Sequence, residues 1–265
     1  MPAALPFARL RHPDGRSHHV VIEPDGWREA DGDPFTGLTP RGPVRSLDGV
    51  DWEVPVSPRK IVCVGRNYRA HAAELGHEVP EEPLLFLKPS TSLLPHRGVI
   101  RLPPESRRVD HEGELAAIIG TPLRRVEPDR ALAGVLGYAC LNDVTARDLQ
   151  KKDVQFTRAK GFDTFCPLGP VVVPGLDPAR LYIETFVNGT RRQSAATEQM
   201  IFEVGVLLSY ISRVMTLEPG DVVATGTPEG VGPLAPGDEV VVSIEGIGRL
   251  VNRVEAEAGA APARA

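Results

Sequence analysis

The feature that most restricts this chain is a pair of acids set one residue apart at the head of an apolar run. Asp110-His111-Glu112-Gly113-Glu114-Leu115 leads directly into Ala116-Ala117-Ile118-Ile119. Side chains alternate faces along a strand, so Glu112 and Glu114 point the same way. Two like charges side by side repel unless something positive lies between them. A hard divalent cation with oxygen ligands, Mg²⁺ or Mn²⁺ in type, resolves that conflict. Gly137-Tyr138-Ala139-Cys140-Leu141-Asn142-Asp143-Val144 then offers Asp143 as a third ligand from a second strand. The spacing alone also fits a solvated face carrying two glutamates. His111 falls on the opposite strand face and is not expected to be a ligand.

A chain of 265 residues is long enough for one large domain or a main domain with a small appendage. Its 30 basic and 35 acidic residues leave a net charge of −5, which argues against a nucleic-acid or anionic-membrane partner. No apolar run approaches the length of a membrane span and no basic-then-apolar leader is present, so the expected location is cytoplasmic. Cys63, Cys140 and Cys166 form no Cys-x-x-Cys pair and read as reduced, mostly buried thiols. The many glycines and prolines, with few aromatics and much valine, favour a strand-rich α+β enzyme over a helical bundle.

Residues 1–57 read as a small strand-and-turn module, with runs Phe7–Leu10 and His19–Ile22 between turns at Pro13-Asp14-Gly15 and Pro24-Asp25-Gly26. Residues 58–253 form the catalytic domain, and 254–265 an Ala/Gly/Pro-rich flexible tail. Lys60–Gly65, Leu84–Leu87, Asp221–Thr227 and Asp238–Ile244 are expected strands. Short helices are expected over Tyr68–Leu75 and Glu127–Val135. The strongest helical periodicity covers Ser194–Met215, where Met200, Ile201, Val204, Leu207, Leu208, Ile211 and Met215 repeat at i, i+3, i+4.

Other segments carry chemistry-bearing side chains. His71 and Glu74 are neighbours on a helix, and a carboxylate beside an imidazole suits a general base; on its own such a pair is also an ordinary surface ion pair. Arg147 and Gln150, three apart after the Asp143 strand, are placed to face one pocket. Lys160 is a cation able to stabilise developing negative charge. For each of these the bland reading is a solvated polar residue. Thr225-Gly226-Thr227-Pro228-Glu229-Gly230-Val231-Gly232 lacks the Gly-Lys-Ser/Thr ending of a nucleotide loop. Its N–H groups and the Thr227 hydroxyl suit a small carboxylate instead.

Taken in order, Val64-Gly65-Arg66-Asn67-Tyr68 with His71-x-x-Glu74, Phe86-Leu87-Lys88-Pro89-Ser90, Glu112-Gly113-Glu114-Leu115, Asn142 to Gln150, Lys160-Gly161-Phe162-Asp163 and Thr225-Gly226-Thr227-Pro228-x-Gly230-Val231-Gly232 resemble the fumarylacetoacetate hydrolase superfamily. That resemblance implies a mixed β-roll preceded by a small N-terminal β module, a Mg²⁺ or Mn²⁺ cofactor and a homodimer. It implies Glu112, Glu114 and Asp143 as metal ligands and His71 with Glu74 as a water-activating dyad on a lid. It further implies Lys160 beside the metal, and Arg147, Gln150 and Thr227 on the substrate. No counterpart is found for the upstream aspartate ligand of the larger eukaryotic hydrolases, so three protein ligands are expected.

The implied substrate is a small 2-oxo acid or its enol, handled through a metal-stabilised enolate. Small members with this N-terminal module resemble 2-hydroxyhepta-2,4-diene-1,7-dioate isomerases, so that isomerase or a related acylpyruvate C–C hydrolase of aromatic catabolism is the leading expectation. The alternatives are an oxaloacetate decarboxylase or tautomerase and, from another class, a non-catalytic metal-binding relative. Pocket walls are expected around Tyr68, Phe162 and Phe165.

Overall fold

In the computed structural model, residues 5–12, 14–74, 76 and 78–257 are described. The N-terminal module contributes β1 (Phe7–Arg11), β2 (Ser17–Glu23), β3 (Gly26–Asp33), β4 (Gly37–Arg45) and β5 (Asp51–Glu53). Next come β6 (Ile61–Gly65), α1 (Arg69–Glu74), β7 (Leu84–Lys88), β8 (Leu93–Leu94), β9 (Val99–Leu102), β10 (Val109–His111) and β11 (Gly113–Ile119). The middle of the chain forms α2 (Pro128–Leu132), β12 (Val135–Asn142), β13 (Thr145–Ala146), α3 (Arg147–Lys152), α4 (Thr157–Gly161) and β14 (Cys166–Val173). It closes with β15 (Tyr182–Val187), β16 (Thr190–Ala196), α5 (Val204–Val214), β17 (Val222–Ala224), β18 (Gly232–Pro233), β19 (Glu239–Ile244) and β20 (Gly248–Ala256).

These strands build a strand-rich mixed α+β fold of three sheets. The largest runs β4-β3-β2-β1-β14-β12-β11-β17-β6-β7, so the N-terminal module is an extension of the central sheet, joined where β1 pairs antiparallel with β14. A five-stranded sheet, β16-β15-β19-β20-β9, packs across it, and a small sheet, β13-β10-β18, sits at the junction. The central strands are buried on both faces, which is why Leu115–Ile119 reads as unbroken apolar sequence. Leu115, Ala117 and Ile119 face a core shared with α5 and the five-stranded sheet. Ala116 and Ile118 face the opposite core, with Ala139, Leu141, Cys63 and Leu168.

Two expectations need correction. The helix expected over Ser194–Met215 begins only at Val204. Ser194 to Ala196 instead pair with β15, and Met200 bridges to Tyr68, so sheet contacts override helical periodicity in that half. The domain also continues beyond residue 253, because Val254–Ala256 pair in parallel with Ile100–Leu102. Residues 258–265 of the expected tail, and Leu75 of the expected first helix, lie outside the described residues.

Asn67 closes the gap between the central sheet and the segment leading to α5. Its buried amide donates to Thr225 O (2.7 Å) and Phe202 O (3.0 Å) and accepts from Phe202 N–H (2.8 Å). Asn67→Ala orphans three backbone groups and is expected to cost at least about 3 kcal/mol. Denaturant unfolding of the variant checks this; a loss near zero would show that those groups find other partners.

Candidate metal centre

The sheet alternation that buries the second core also assembles the site. Glu114, and Glu112 just ahead of β11, continue the face of Ala116 and Ile118; Asp143, just beyond β12, continues that of Ala139 and Leu141. Ligand oxygens of Glu112, Glu114 and Asp143 lie within 4.8 Å of one another, and all three residues are buried. They open into a pocket of about 330 Å³ that His71, Arg147, Gln150, Lys160 and Thr227 also line. Every expected metal, catalytic or substrate-binding residue except Glu74 therefore lines one cavity, and Glu74 is bonded to His71.

Buried carboxylates need cations, and this site is short of one. Lys160 Nζ bridges Glu112 Oε2 (2.8 Å) and Asp143 Oδ2 (2.7 Å). Arg147 pairs with the other oxygen of Glu112 and with buried Asp110 (2.9 Å), and its remaining nitrogen donates to Gln150 Oε1 (2.6 Å). Arg147 thus positions Glu112 as well as lining the pocket. Lys88, fully buried, donates to Asp143 Oδ1 (2.6 Å) and Val144 O (3.2 Å). Glu114 has no cationic partner among the described residues; its contact is the Gly226 N–H at 2.8 Å.

The titration behaviour follows that imbalance. Burial alone would raise Glu112, but Lys160, Arg147 and His71 outweigh it and hold Glu112 well below the carboxylate range. Glu114 is pushed well above that range by burial and by the charges of Asp143 and Glu112. Burial would lower Lys160, but Asp143 and Glu112 keep it firmly protonated. Three hard oxygen donors around one buried acid without a counter-ion fit a divalent cation.

His71 on α1 faces the pocket, and its Nδ1 meets Glu74 Oε2 at 3.3 Å. Glu74 also accepts the Gly230 N–H through both oxygens (3.1 and 3.2 Å), which fastens α1 to the glycine-rich loop. Two N–H groups of that loop are therefore committed to protein carboxylates. Only Gly permits this loop at Gly226 (φ 98°), where an added Cβ would stand 2.6 Å from Asn67 Cβ.

The pocket walls differ from expectation. Tyr68 and Phe165 are fully buried in separate cores and Phe162 packs beside Phe165, so none of the three lines the pocket. The apolar wall is Leu84, Phe86 and Phe156, with the two phenyl rings edge to face at 5.7 Å. Lys88 and Asp110 were missed by sequence reasoning. Lys88 looked like the charged end of an apolar strand, although its place in Phe86-Leu87-Lys88-Pro89 gives it the same face as pocket-lining Phe86. His111 stands outside the acid cluster: its Nδ1 meets Gln193 Oε1 at 3.2 Å, and burial holds it below the usual imidazole value.

Comparison with known proteins agrees with this fold. Residues 60–255 match the family model "Fumarylacetoacetate (FAA) hydrolase C-terminal", and residues 7–55 match "Rv2993c-like, N-terminal". Protein Rv2993c of Mycobacterium tuberculosis is 47% identical over 94% of this chain and 97% of its own length. Oxaloacetate tautomerase YisK of Bacillus subtilis is 42% identical over 76% of this chain and 71% of its own. The crystal structure of 2-hydroxyhepta-2,4-diene-1,7-dioate isomerase from Mycobacterium marinum superposes with a TM-score of 0.88 at 43% identity, covering 96% of this chain and 99% of that one.

Because Glu114 binds its proton more tightly folded than unfolded, metal-free protein loses stability as pH rises above the ordinary glutamate value of 4.5 and through the raised one. Glu114→Gln is expected to flatten that dependence, stabilise the metal-free protein at neutral pH and weaken divalent-cation binding by more than about 100-fold. Thermal unfolding against pH, with and without Mg²⁺, checks this. Parallel pH profiles for both proteins would refute it.

Proposed function

The chain belongs to the fumarylacetoacetate (FAA) hydrolase C-terminal family, and from that membership we propose that it is a divalent-metal-dependent enzyme of small 2-oxo dicarboxylic acids and their dienols. The reaction we assign is the proton-transfer isomerisation carried in the name of the Mycobacterium marinum relative, with C–C hydrolysis of acylpyruvates as a variant of the same chemistry. The observation that carries this reading is the convergence of three buried carboxylates, a His–Glu pair and a buried lysine on one cavity.

Glu112, Glu114 and Asp143 would hold Mg²⁺ or Mn²⁺, which when bound attracts a 2-oxo carboxylate and stabilises negative charge on its keto oxygen. The remaining work falls to the chain's own side chains. With Nδ1–H directed at Glu74, the ring of His71 presents Nε2 as a base to the pocket, where it takes the proton from the carbon beside the keto group. Returning that proton further along the conjugated chain isomerises the double bond. With an acylpyruvate the same base would instead take a proton from water, whose oxygen adds to the distal ketone carbon. The C–C single bond to the neighbouring methylene would then break to give a carboxylic acid and the enolate of pyruvate, which regains a proton. Lys160, held charged, offers positive potential to the oxygen that gains electrons.

The substrate's second carboxylate also has complements. Arg66 and Lys151 line the pocket and form no ion pair with any described residue, in contrast to Lys160, Lys88 and Arg147. Leu84, Phe86 and Phe156 supply a flat apolar wall for the intervening carbons. A second reading, oxaloacetate tautomerase, is favoured by the likeness to YisK and uses the same proton transfer on a shorter diacid.

Turnover of 2-hydroxy-dienedioates, acylpyruvates and oxaloacetate with Mg²⁺, against chelator-treated controls, separates these activities. Isomerisation of the dienedioate that disappears on chelation is expected, and faster enolisation of oxaloacetate would select the tautomerase. His71→Ala is expected to keep the metal and lose about 10²–10⁴ in kcat. Undiminished turnover after chelation or in His71→Ala would contradict the proposal.

A further inference from the structure

Gln193 on β16 plays no part in the chemistry above, yet it is the most fully committed polar side chain near the site. It is 1% exposed and makes four hydrogen bonds. Its Oε1 accepts from Gly113 N–H (3.0 Å) and faces His111 Nδ1 (3.2 Å); its Nε2 donates to Thr227 Oγ1 (2.7 Å) and Pro228 O (2.8 Å). The amide orientation is fixed, because Gly113 N–H can only donate and Pro228 C=O can only accept. His111 must then donate from Nδ1.

Three of these groups close a ring. Gly113 N–H donates to Gln193, Gln193 donates to the Thr227 hydroxyl, and that hydroxyl donates back to Gly113 O (2.8 Å). Gly113 is the peptide between Glu112 and Glu114, so moving it moves both acids. Thr227 and Pro228 belong to the glycine-rich loop that borders the pocket. The platform beneath approaches closely at two glycines. A Cβ on Gly113 would stand 2.1 Å from Thr185 Oγ1 on β15, and one on Gly230 would stand 2.0 Å from Arg192 O, one residue before Gln193. The five-stranded sheet therefore carries the acid strand and the loop on the same two strands, with Gln193 as their shared fastener.

We propose that Gln193 is a positioning residue that couples the metal centre to the substrate loop, so that filling either one raises the affinity of the other through the Gly113–Gln193–Thr227 ring. The proposal rests on the metal reading above and goes beyond it, since it assigns the communication between the two halves to a residue that touches neither ion nor substrate. Such coupling is reciprocal: whatever factor the ligand adds to metal affinity, metal adds to ligand affinity.

The test uses Mg²⁺ and oxalate, a planar dianion resembling a 2-oxo carboxylate. Calorimetric titration gives the Mg²⁺ Kd with and without oxalate, corrected for their complex in solution, and the ratio is the coupling factor. Gln193→Ala is expected to lower that factor at least about fivefold. Gln193→Glu keeps the bulk and the acceptor for Gly113 but loses both donors to the loop; it is expected to lower the factor too, and it covers the case in which the alanine variant folds poorly. A role limited to folding would depress Tm and weaken both ligands while leaving the factor unchanged, and that result in the variants overturns the proposal. Wild-type protein that binds no Mg²⁺ would instead overturn the metal reading, and the coupling with it.

Discussion

Buried negative charge is the constraint around which the rest of this structure is arranged. Asp110, Glu112, Glu114 and Asp143 are all nearly excluded from water, and three buried cations, Lys88, Arg147 and Lys160, stand among them. An unpaired charge in such surroundings costs several kcal/mol, so each acid is either matched or forced to keep its proton. The matching is complete for Asp110, Glu112 and Asp143 and fails at Glu114. A divalent cation removes that conflict. A cation bound there would take the place of the Glu114 proton.

The scaffold makes this tolerable by being stiff. Antiparallel pairing fixes β11 against β12 from Gly113–Asn142 through to Ile119–Val135, with a single irregularity at the far end from the acids. The side chains behind the acids are close-packed apolar residues of the second core. At the glycine-rich loop the contacts are polar: Glu74 on Gly230, Glu114 on Gly226 and Gln193 on Thr227 hold the loop through hydrogen bonds. Strand pairing places the three acids, and side-chain hydrogen bonds set the walls of the pocket. The N-terminal module bears on neither directly; its β1 pairs with β14 and extends the central sheet as far as β4.

What could be read from the residue order follows this division. Glu112, Glu114 and Asp143 were legible because strand alternation is a local rule and the acids adjoin apolar strands. His71 with Glu74 was legible because i, i+3 neighbours meet on a helix, and α1 does form there. Lys88 and Gln193 were harder, since their partners lie 55 and 80 residues away; strand alternation puts Lys88 on the face of Phe86 but does not name Asp143 as its partner. Gln193 was harder still: it stands one residue before the stretch read as helical, whereas it belongs to β16 and bonds to Gly113 and the glycine-rich loop. The aromatic wall failed for the same reason. Tyr68, Phe162 and Phe165 are near the motifs in sequence, but Phe86 and Phe156 are near the acids in space.

The central claim is that Glu112, Glu114 and Asp143 form a single divalent-cation centre. Anomalous diffraction at the manganese edge from crystals equilibrated with Mn²⁺ addresses it without reference to turnover. One Mn²⁺ per chain, with an oxygen of each of these three residues within the usual coordination distance of about 2.1–2.2 Å, is the predicted result. Manganese bound elsewhere, or a native site in which Lys160 still bridges Glu112 and Asp143 with no ion beside Glu114, would contradict the account.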